Sequence, residues 1–185
     1  MAFYNRAACF VLILAVLSVQ PFPSLVCAAD KGYKGKATML ADHKYYGALI
    51  SGIRKANKEI TGCFFLFKAS ESRGNLPMAI VNELIAARKR GVNISIELEQ
   101  AATGMGTVYE QNRKAATMMT DAGIKVRFDA PKKITHVKAM VIDGRYVYIG
   151  SHNLTQSALK YNNELSVMID SPELAAEVNS YLDNL

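Results

Sequence analysis

The chain has 185 residues, a formal net charge of +6 and a hydrophobic content of 50%, and 21% of its residues are charged. This is the balance of a globular protein with a buried core, and it excludes a low-complexity or repeat protein, since neither kind of tract occurs in the sequence. The positive charge suits a polyanionic partner such as nucleic acid or anionic lipid, but it is equally compatible with simple solubility.

The N-terminal region is typical of an export signal. Arg6 precedes an apolar run over residues 7–19, and small residues follow at Ala28 and Ala29. This order predicts a cleavable signal peptide at residues 1–28 and therefore a periplasmic or secreted protein. The apolar run is short for a membrane span, and a retained N-terminal anchor is the alternative.

Hydrophobic periodicity predicts an α/β fold for the remaining chain. After a flexible lead-in at residues 29–35, a single domain is expected over residues 36–185. Helical spacing of apolar residues predicts helices at residues 45–60, 77–90, 107–122 and from 172 onward. Compact or alternating apolar runs predict strands at residues 36–40, 61–67, 92–98, 124–128 and 164–169, and residues 154–162 are expected to form a polar loop. Strands that alternate with helices predict βαβ units and a mixed sheet with helices on both faces.

The most informative stretch is residues 136–153, HVKAMVIDGRYVYIGSHN. Two apolar runs separated by Asp143-Gly144 predict a β-hairpin. His136 and Lys138 are two residues apart, so on a strand both side chains point to the same face. Gly150 ends the second run, where a glycine allows the backbone to approach a ligand closely.

Six positions of this stretch match the pattern H-x-K-x4-D-x6-G-S-x-N, namely His136, Lys138, Asp143, Gly150, Ser151 and Asn153. The chain thereby resembles the phospholipase D superfamily, and in size, layout and export signal it is similar to the small single-motif bacterial endonucleases of that superfamily. The resemblance covers about residues 36–183. It implies a layered α/β sandwich with one motif per chain.

The resemblance also implies a mechanism. Two copies of the motif form one active site in this family, where one histidine forms a phosphohistidine intermediate and the other protonates the leaving group. His136, Lys138 and Asn153 would each be supplied twice, and neither a metal nor another cofactor is required. Because this chain carries one motif, the resemblance implies a homodimer with the active site at the twofold interface.

Three further positions of the motif region are assigned roles. Glu164 matches a glutamate that is common in the family, and we expect its carboxylate to accept a hydrogen bond from His136, the alternative being a surface glutamate at a strand start. Ser151 would bind phosphate or support the turn beside Gly150. Asp143 is expected to have a structural role, since aspartate before glycine is favoured in a hairpin turn.

The other histidines are not expected to be catalytic. His43 opens a helix and is interpreted as a solvated or capping residue, and His152 should point away from Asn153 by alternation. No group of His, Cys, Asp and Glu has the spacing of a metal site. Lys132 and Lys133 could steer a polyanion toward the motif.

Three functions compete on the sequence alone. The first is a metal-independent nuclease acting on DNA or RNA with little sequence preference. The second is a phospholipase D acting on phosphatidyl lipids with the same residues. The third, from another class, is a nucleic-acid-binding module without turnover. The absence of tryptophan and of an amphipathic interfacial helix favours the nuclease.

Overall fold

The computed structural model describes residues 32–100, 106–130 and 133–185. The predicted signal peptide and Lys132 lie outside these residues. Seven strands are present in the described part: β1 (Lys36–Ala41), β2 (Glu59–Phe64), β3 (Asn93–Leu98), β4 (Lys125–Phe128), β5 (Lys138–Ile142), β6 (Tyr146–Gly150) and β7 (Leu165–Asp170). The helices in the same part are α1 (Lys44–Lys55), α2 (Leu76–Lys89), α3 (Thr107–Asp121), α4 (Gln156–Lys160) and α5 (Pro172–Asp183).

The strands form one mixed sheet in the order β1-β7-β6-β5-β2-β3-β4. β2, β3 and β4 are parallel and are connected through α2 and α3 as two βαβ units. β5 pairs antiparallel with both β2 and β6, and β7 pairs antiparallel with both β6 and β1. The predicted α/β class and mixed sheet are confirmed.

Alternate residues of the central hairpin supply two hydrophobic cores. Met140 and Ile142 belong to the larger core, which also contains buried residues of α1, α2 and α3. Val141 and Val147 point to the opposite face, where they pack against Ala175 of α5. The period-2 pattern of β5 therefore places helices on both faces of the sheet, as predicted.

Two local predictions were wrong. α1 ends at Lys55 rather than at residue 60, because Ala56 adopts an extended conformation (φ −59°, ψ 133°) and Glu59 already pairs with β3. The expected polar loop at residues 154–162 contains the short helix α4, whose first turn is capped by Thr155 Oγ1 accepting a hydrogen bond from the amide of Ala158 at 3.1 Å. His43 precedes α1 but makes no side-chain cap.

The Asp143 carboxylate joins the hairpin turn to the chain between α1 and β2. It accepts hydrogen bonds from the amides of Asn57 (3.1 Å), Lys58 (2.8 Å) and Glu59 (3.2 Å), and its own amide donates to the carbonyl of Glu59 at 2.8 Å. Asp143 has a left-handed φ of +56°, which aspartate tolerates better than most residues. These contacts place Asp143 in the architecture of the hairpin, about 17 Å from Lys138 at the other end of β5.

We predict that Asp143→Ala lowers the free energy of unfolding by about 2 kcal/mol or more, because three amides lose a charged acceptor and alanine disfavours positive φ. Asp143→Asn should lose less, since it keeps one acceptor oxygen and tolerates the same φ. Urea denaturation followed by circular dichroism measures both changes.

Asp121→Ala is the matched control, because Asp121 is exposed at the end of α3 and should change stability by less than about 0.5 kcal/mol. An Asp143→Ala protein with unchanged stability but no turnover would contradict the structural assignment.

Candidate active site

The motif residues converge at one end of the sheet. β5 begins at Lys138 and β6 ends at Gly150, so antiparallel pairing brings these two positions side by side. The chain then leaves β6 as the segment 150–153, which we call the GSHN loop. The amide of Ser151 bonds to the carbonyl of Leu165 (3.1 Å), and the amide of Leu154 bonds to that of Leu66 (2.9 Å). Since Leu165 begins β7 and Leu66 follows β2, the loop crosses the ends of β6 and β5.

His136 presents an exposed imidazole just before β5. Its ring lies against the ring of Phe65, with centroids 4.5 Å apart. The ammonium of Lys138 contacts its Nδ1 at 3.2 Å and also donates a hydrogen bond to its carbonyl oxygen at 2.9 Å. The exposed imidazole of the motif is therefore in contact with both an aromatic ring and a cation.

The contact with the Lys138 ammonium indicates which ring nitrogen of a neutral His136 carries the proton. An ammonium can only donate, so Nδ1 must be unprotonated and the neutral ring carries its proton on Nε2. In this tautomer Nε2–H can donate a hydrogen bond, whereas protonation of a leaving oxygen requires the imidazolium form of the ring. An attack on phosphorus through Nε2 requires the other tautomer, in which Nδ1–H donates to an acceptor.

Lys138 is a buried cation, with 6% of its surface exposed. Its Nζ lies 5.0 Å from the centroid of Phe65. Burial lowers the pKa of Lys138, and the carboxylate of Glu164 acts in the opposite direction. A partly desolvated ammonium interacts more strongly with an incoming phosphate than a fully hydrated one would.

Gly150, Ser151 and Glu164 form one hydrogen-bonded unit. A Cβ at residue 150 would overlap the backbone and side chain of Ser166 on β7, so only glycine fits this position. Ser151 Oγ donates to the Glu164 carboxylate and accepts from the amide of Leu165 at 3.1 Å. Ser151 therefore supports the turn beside Gly150, and its predicted contact with phosphate stays a prediction.

The predicted hydrogen bond between Glu164 and His136 is not formed within the described part of a single chain. The Glu164 carboxylate instead accepts from Ser151 and from Asn162 Nδ2 (3.1 Å). The physical reason is that Glu164 lies at the start of β7 beside the GSHN loop, whereas the Nδ1 of His136 faces Lys138.

Asn153 is half-buried, and its Oδ1 is buried without a hydrogen-bond partner among the described residues. Orphaned polar atoms are rare in native structures and often occur at functional sites. Asn153 lies at the end of a loop that crosses the start of β5, where the Nδ2 donors of its amide are of the kind that can bind a phosphoryl oxygen.

Two supporting residues were missed by the sequence analysis. Phe65 looked like one more apolar residue of a strand, and nothing in the pattern indicated its contacts with His136 and Lys138. Asn112, buried on α3, accepts from the amide of Phe67 (2.7 Å) and donates to the carbonyls of Phe65 and Glu99 (both 2.9 Å). A polar residue on the apolar side of a predicted helix was the available signal for Asn112.

An apolar groove of about 420 Å³ opens beside the motif on the α5 face of the sheet. His136, Val137 and Ile149 form its sheet side, and Val178 and Tyr181 form its helix side. Over the same described residues, no group of three or more His, Cys, Asp or Glu side chains has a metal-binding arrangement. None of the described helices is both long and apolar enough to cross a membrane.

The comparisons with known proteins agree with this geometry. A family model described as "Cardiolipin synthase, PLD-like domain" matches residues 49–185. Among curated proteins, cardiolipin synthase A of Proteus mirabilis is 28% identical over 71% of this chain, and the phospholipase D of Rickettsia bellii is 34% identical over 57%. The matched regions span only 25% and 48% of those two proteins.

Two solved structures match the domain almost end to end. The phospholipase D family member Nuc from Salmonella typhimurium has a TM-score of 0.69 and 25% identity, and the match covers 82% of this chain and 93% of Nuc. NucT from Helicobacter pylori, at 20% identity and a TM-score of 0.63, shares the fold, with 82% of this chain and 95% of NucT covered. With the family model matching well over half of its length, the chain belongs to the phospholipase D superfamily.

Proposed function

We propose that this protein is a phosphodiesterase that works as a homodimer through a phosphohistidine intermediate, with nucleic acid as its substrate. The observation that carries the proposal is an exposed His136 in contact with a buried Lys138, beside a loop that ends at Asn153. The sequence carries this motif once.

The proposed reaction needs two imidazoles. Nε2 of one His136 attacks phosphorus, forming a P–N bond while the P–O bond to the leaving group breaks. The second His136 protonates the leaving oxygen. Water then attacks the phosphohistidine, gives its proton to the second imidazole and breaks the P–N bond. One ring cannot be nucleophile and acid in the same step, so a second chain has to supply the second ring.

Lys138 and Asn153 would hold the charge that develops on the phosphoryl oxygens. A partly desolvated ammonium and an amide donor can supply electrostatic stabilisation of the kind that a metal ion supplies elsewhere. The chemistry is therefore proposed to proceed without a metal or another cofactor.

The apolar groove lies on the surface where the second chain is proposed to bind. Several large apolar side chains beside it are exposed on the same side of the molecule: Met39 (65%), Leu165 (57%), Tyr181 (54%) and Ile149 (40%). Met39 and Ile149 both pair with Val167, and Leu165 lies two residues from it, so the three share one face of the sheet. This apolar face adjoins His136, as a twofold interface with a shared site requires.

Nucleic acid is the favoured substrate because exposed lysines lie on segments that adjoin or contact the motif in the chain. Lys133 lies three residues before His136. The amide of Lys68 bonds to the carbonyl of Leu154, the residue after the GSHN loop. Lys160 is the last residue of α4. Lys160 is 5.2 Å from the ring of Tyr161, which is 69% exposed. A basic surface with an exposed aromatic ring suits a single strand or a duplex end.

A phosphatidyl lipid is the second candidate, supported by the names of the curated relatives, cardiolipin synthase A and phospholipase D. This chain spans less than half of either protein, whereas it matches most of Nuc and NucT. The size of the domain thus favours the nuclease. Periplasmic or secreted localisation remains a proposal that rests on the predicted signal peptide.

We predict that the purified protein nicks plasmid DNA in the presence of EDTA and releases little or no choline from phosphatidylcholine vesicles. Gel electrophoresis and a choline assay measure the two activities. Choline release with intact DNA would establish the lipid alternative. Loss of all activity in EDTA would contradict the metal-free mechanism.

We predict that His136→Ala lowers kcat by at least about 1,000-fold, because both the nucleophile and the acid are lost from the site. The exposed ring should leave the unfolding midpoint unchanged. His43→Ala, which removes an exposed imidazole on the same chain, should retain wild-type turnover. Substantial hydrolysis by His136→Ala would refute the mechanism, and an inactive wild type that still bound DNA would favour the non-catalytic module.

We predict that Leu165→Asp converts the dimer to a monomer and abolishes turnover, since it places a charge in the proposed interface. Light scattering after size exclusion measures the mass, and circular dichroism checks the fold. Thr38→Asp is the matched control, because Thr38 is exposed on β1 but points to the opposite face from Met39. A fully active monomer in either protein would contradict the shared site.

A further inference from the structure

His152 occupies the variable position of the motif, yet it is one of the most buried polar residues, with 1% of its surface exposed. Its ring stacks on that of Tyr45, with centroids 4.4 Å apart and an interplanar angle of 12°. Nδ1 lies 2.7 Å from Ser166 Oγ, and Nε2 lies 2.9 Å from the carbonyl oxygen of Asp42. His152 therefore ties the GSHN loop to β7 and to the turn between β1 and α1.

The two hydrogen bonds fix the tautomer of the neutral ring. A carbonyl oxygen can only accept, so Nε2 carries the proton and Nδ1 accepts from the Ser166 hydroxyl. Burial lowers the pKa of His152, while its hydrogen bond to Asp42 acts in the opposite direction. The ring is thus a fixed structural link with both nitrogens occupied, unlike the exposed ring of His136.

Asp42 is the other residue of this link, which connects His152 in the GSHN loop to Glu164 before β7. It has a left-handed φ of +51°, a conformation that non-glycine residues seldom adopt. In that conformation its amide donates to the carbonyl of Glu164 (2.9 Å), and its Oδ1 accepts from the amide of Glu164 (2.9 Å). One residue thereby holds the backbone of Glu164 and, through its carbonyl, the ring of His152.

The link reaches both sides of the candidate site. Ser166 approaches Gly150 so closely that no Cβ fits there, and the same serine bonds His152. Glu164, held by Asp42, accepts from Ser151. His152, which precedes Asn153 in the GSHN loop, is therefore held by buried contacts on the side away from the exposed surface of the site. Backbone strain that surrounding contacts maintain is common next to functional groups.

We propose that Asp42 and His152 are positioning residues, which hold the GSHN loop and Glu164 at the distance from His136 and Lys138 that turnover requires. This inference rests on the proposed phosphodiesterase function. Neither residue is placed to touch substrate, because His152 is buried and the contacts of Asp42 are directed to Glu164 and His152. Their effect is on geometry, where a displacement of about 1 Å can lower a rate about 100-fold.

His152→Phe tests the link, since phenylalanine can still stack on Tyr45 but makes neither hydrogen bond. We expect kcat on plasmid DNA to fall by about 10- to 100-fold with KM changed less than about threefold. His43→Phe is the control, because it alters an exposed histidine outside the link and should leave both constants unchanged.

A second pair of variants tests Asp42. Asp42→Asn keeps an acceptor oxygen and tolerates the left-handed φ, so it should retain most of the turnover, whereas Asp42→Ala should lose about as much as His152→Phe. Equal loss in both Asp42 variants, or no loss in Asp42→Ala, would overturn the role assigned to its carboxylate.

Hydrogen exchange measured by NMR separates this inference from the proposed function, since it requires no substrate. In His152→Phe the amides of Ser151 and Leu154 should exchange at least about tenfold faster, while that of Val141 in β5 is unchanged. Wild-type exchange at Ser151 and Leu154 would overturn the inference, even if the protein had no nuclease activity. Faster exchange at Val141 as well, or faster loop exchange with wild-type kcat, would also overturn it.

Discussion

The antiparallel pairing of β5 with β6 is the interaction on which the candidate site depends. It places Lys138, the first residue of β5, beside Gly150, the last residue of β6. The two positions are adjacent in the sheet although eleven residues separate them in the sequence. The turn that reverses the chain is held by Asp143 through three backbone amides. Asp143 and the catalytic candidates thus lie at opposite ends of one hairpin. The spacing of the motif H-x-K-x4-D-x6-G-S-x-N therefore reflects the lengths of β5 and β6 as well as the identity of the reactive side chains.

The geometry of one chain leaves the proposed reaction incomplete. His136 contacts Lys138 through Nδ1, and the tautomer whose Nε2 could attack phosphorus requires an acceptor for Nδ1–H that the described residues of one chain do not place there. Asn153 carries a buried oxygen without a partner in the described residues, and an apolar groove with exposed neighbours opens next to His136. A second copy of the chain on that face would supply the second imidazole and cover the exposed Ile149 and Leu165, so catalysis and association would share one surface.

Much of the fold follows from local sequence, because the periods of apolar residues distinguish strands from helices and Asp143-Gly144 predicts the hairpin. The end of α1 was not predictable in this way, since it depends on amides captured by Asp143, 84 to 86 residues later in the chain. The same limit applies to the site. The motif identifies His136, Lys138 and Asn153, but the contacts of Phe65, Asp42 and His152 arise only when distant segments meet. Glu164 was predicted in part. The resemblance predicted a glutamate beside the site, but it did not predict that the carboxylate would accept a hydrogen bond from Ser151 instead of His136 within one chain.

The central claim is that two chains build one site, and subunit mixing tests it most directly. Wild-type and His136→Ala chains are unfolded together in equal amounts, refolded and assayed on plasmid DNA. If each active site needs His136 from both chains, random pairing leaves about one quarter of the wild-type activity per total protein. If each chain works alone, about one half of the activity remains. A site shared by two chains predicts one quarter, and a value of one half, with dimers still present, would contradict a shared site.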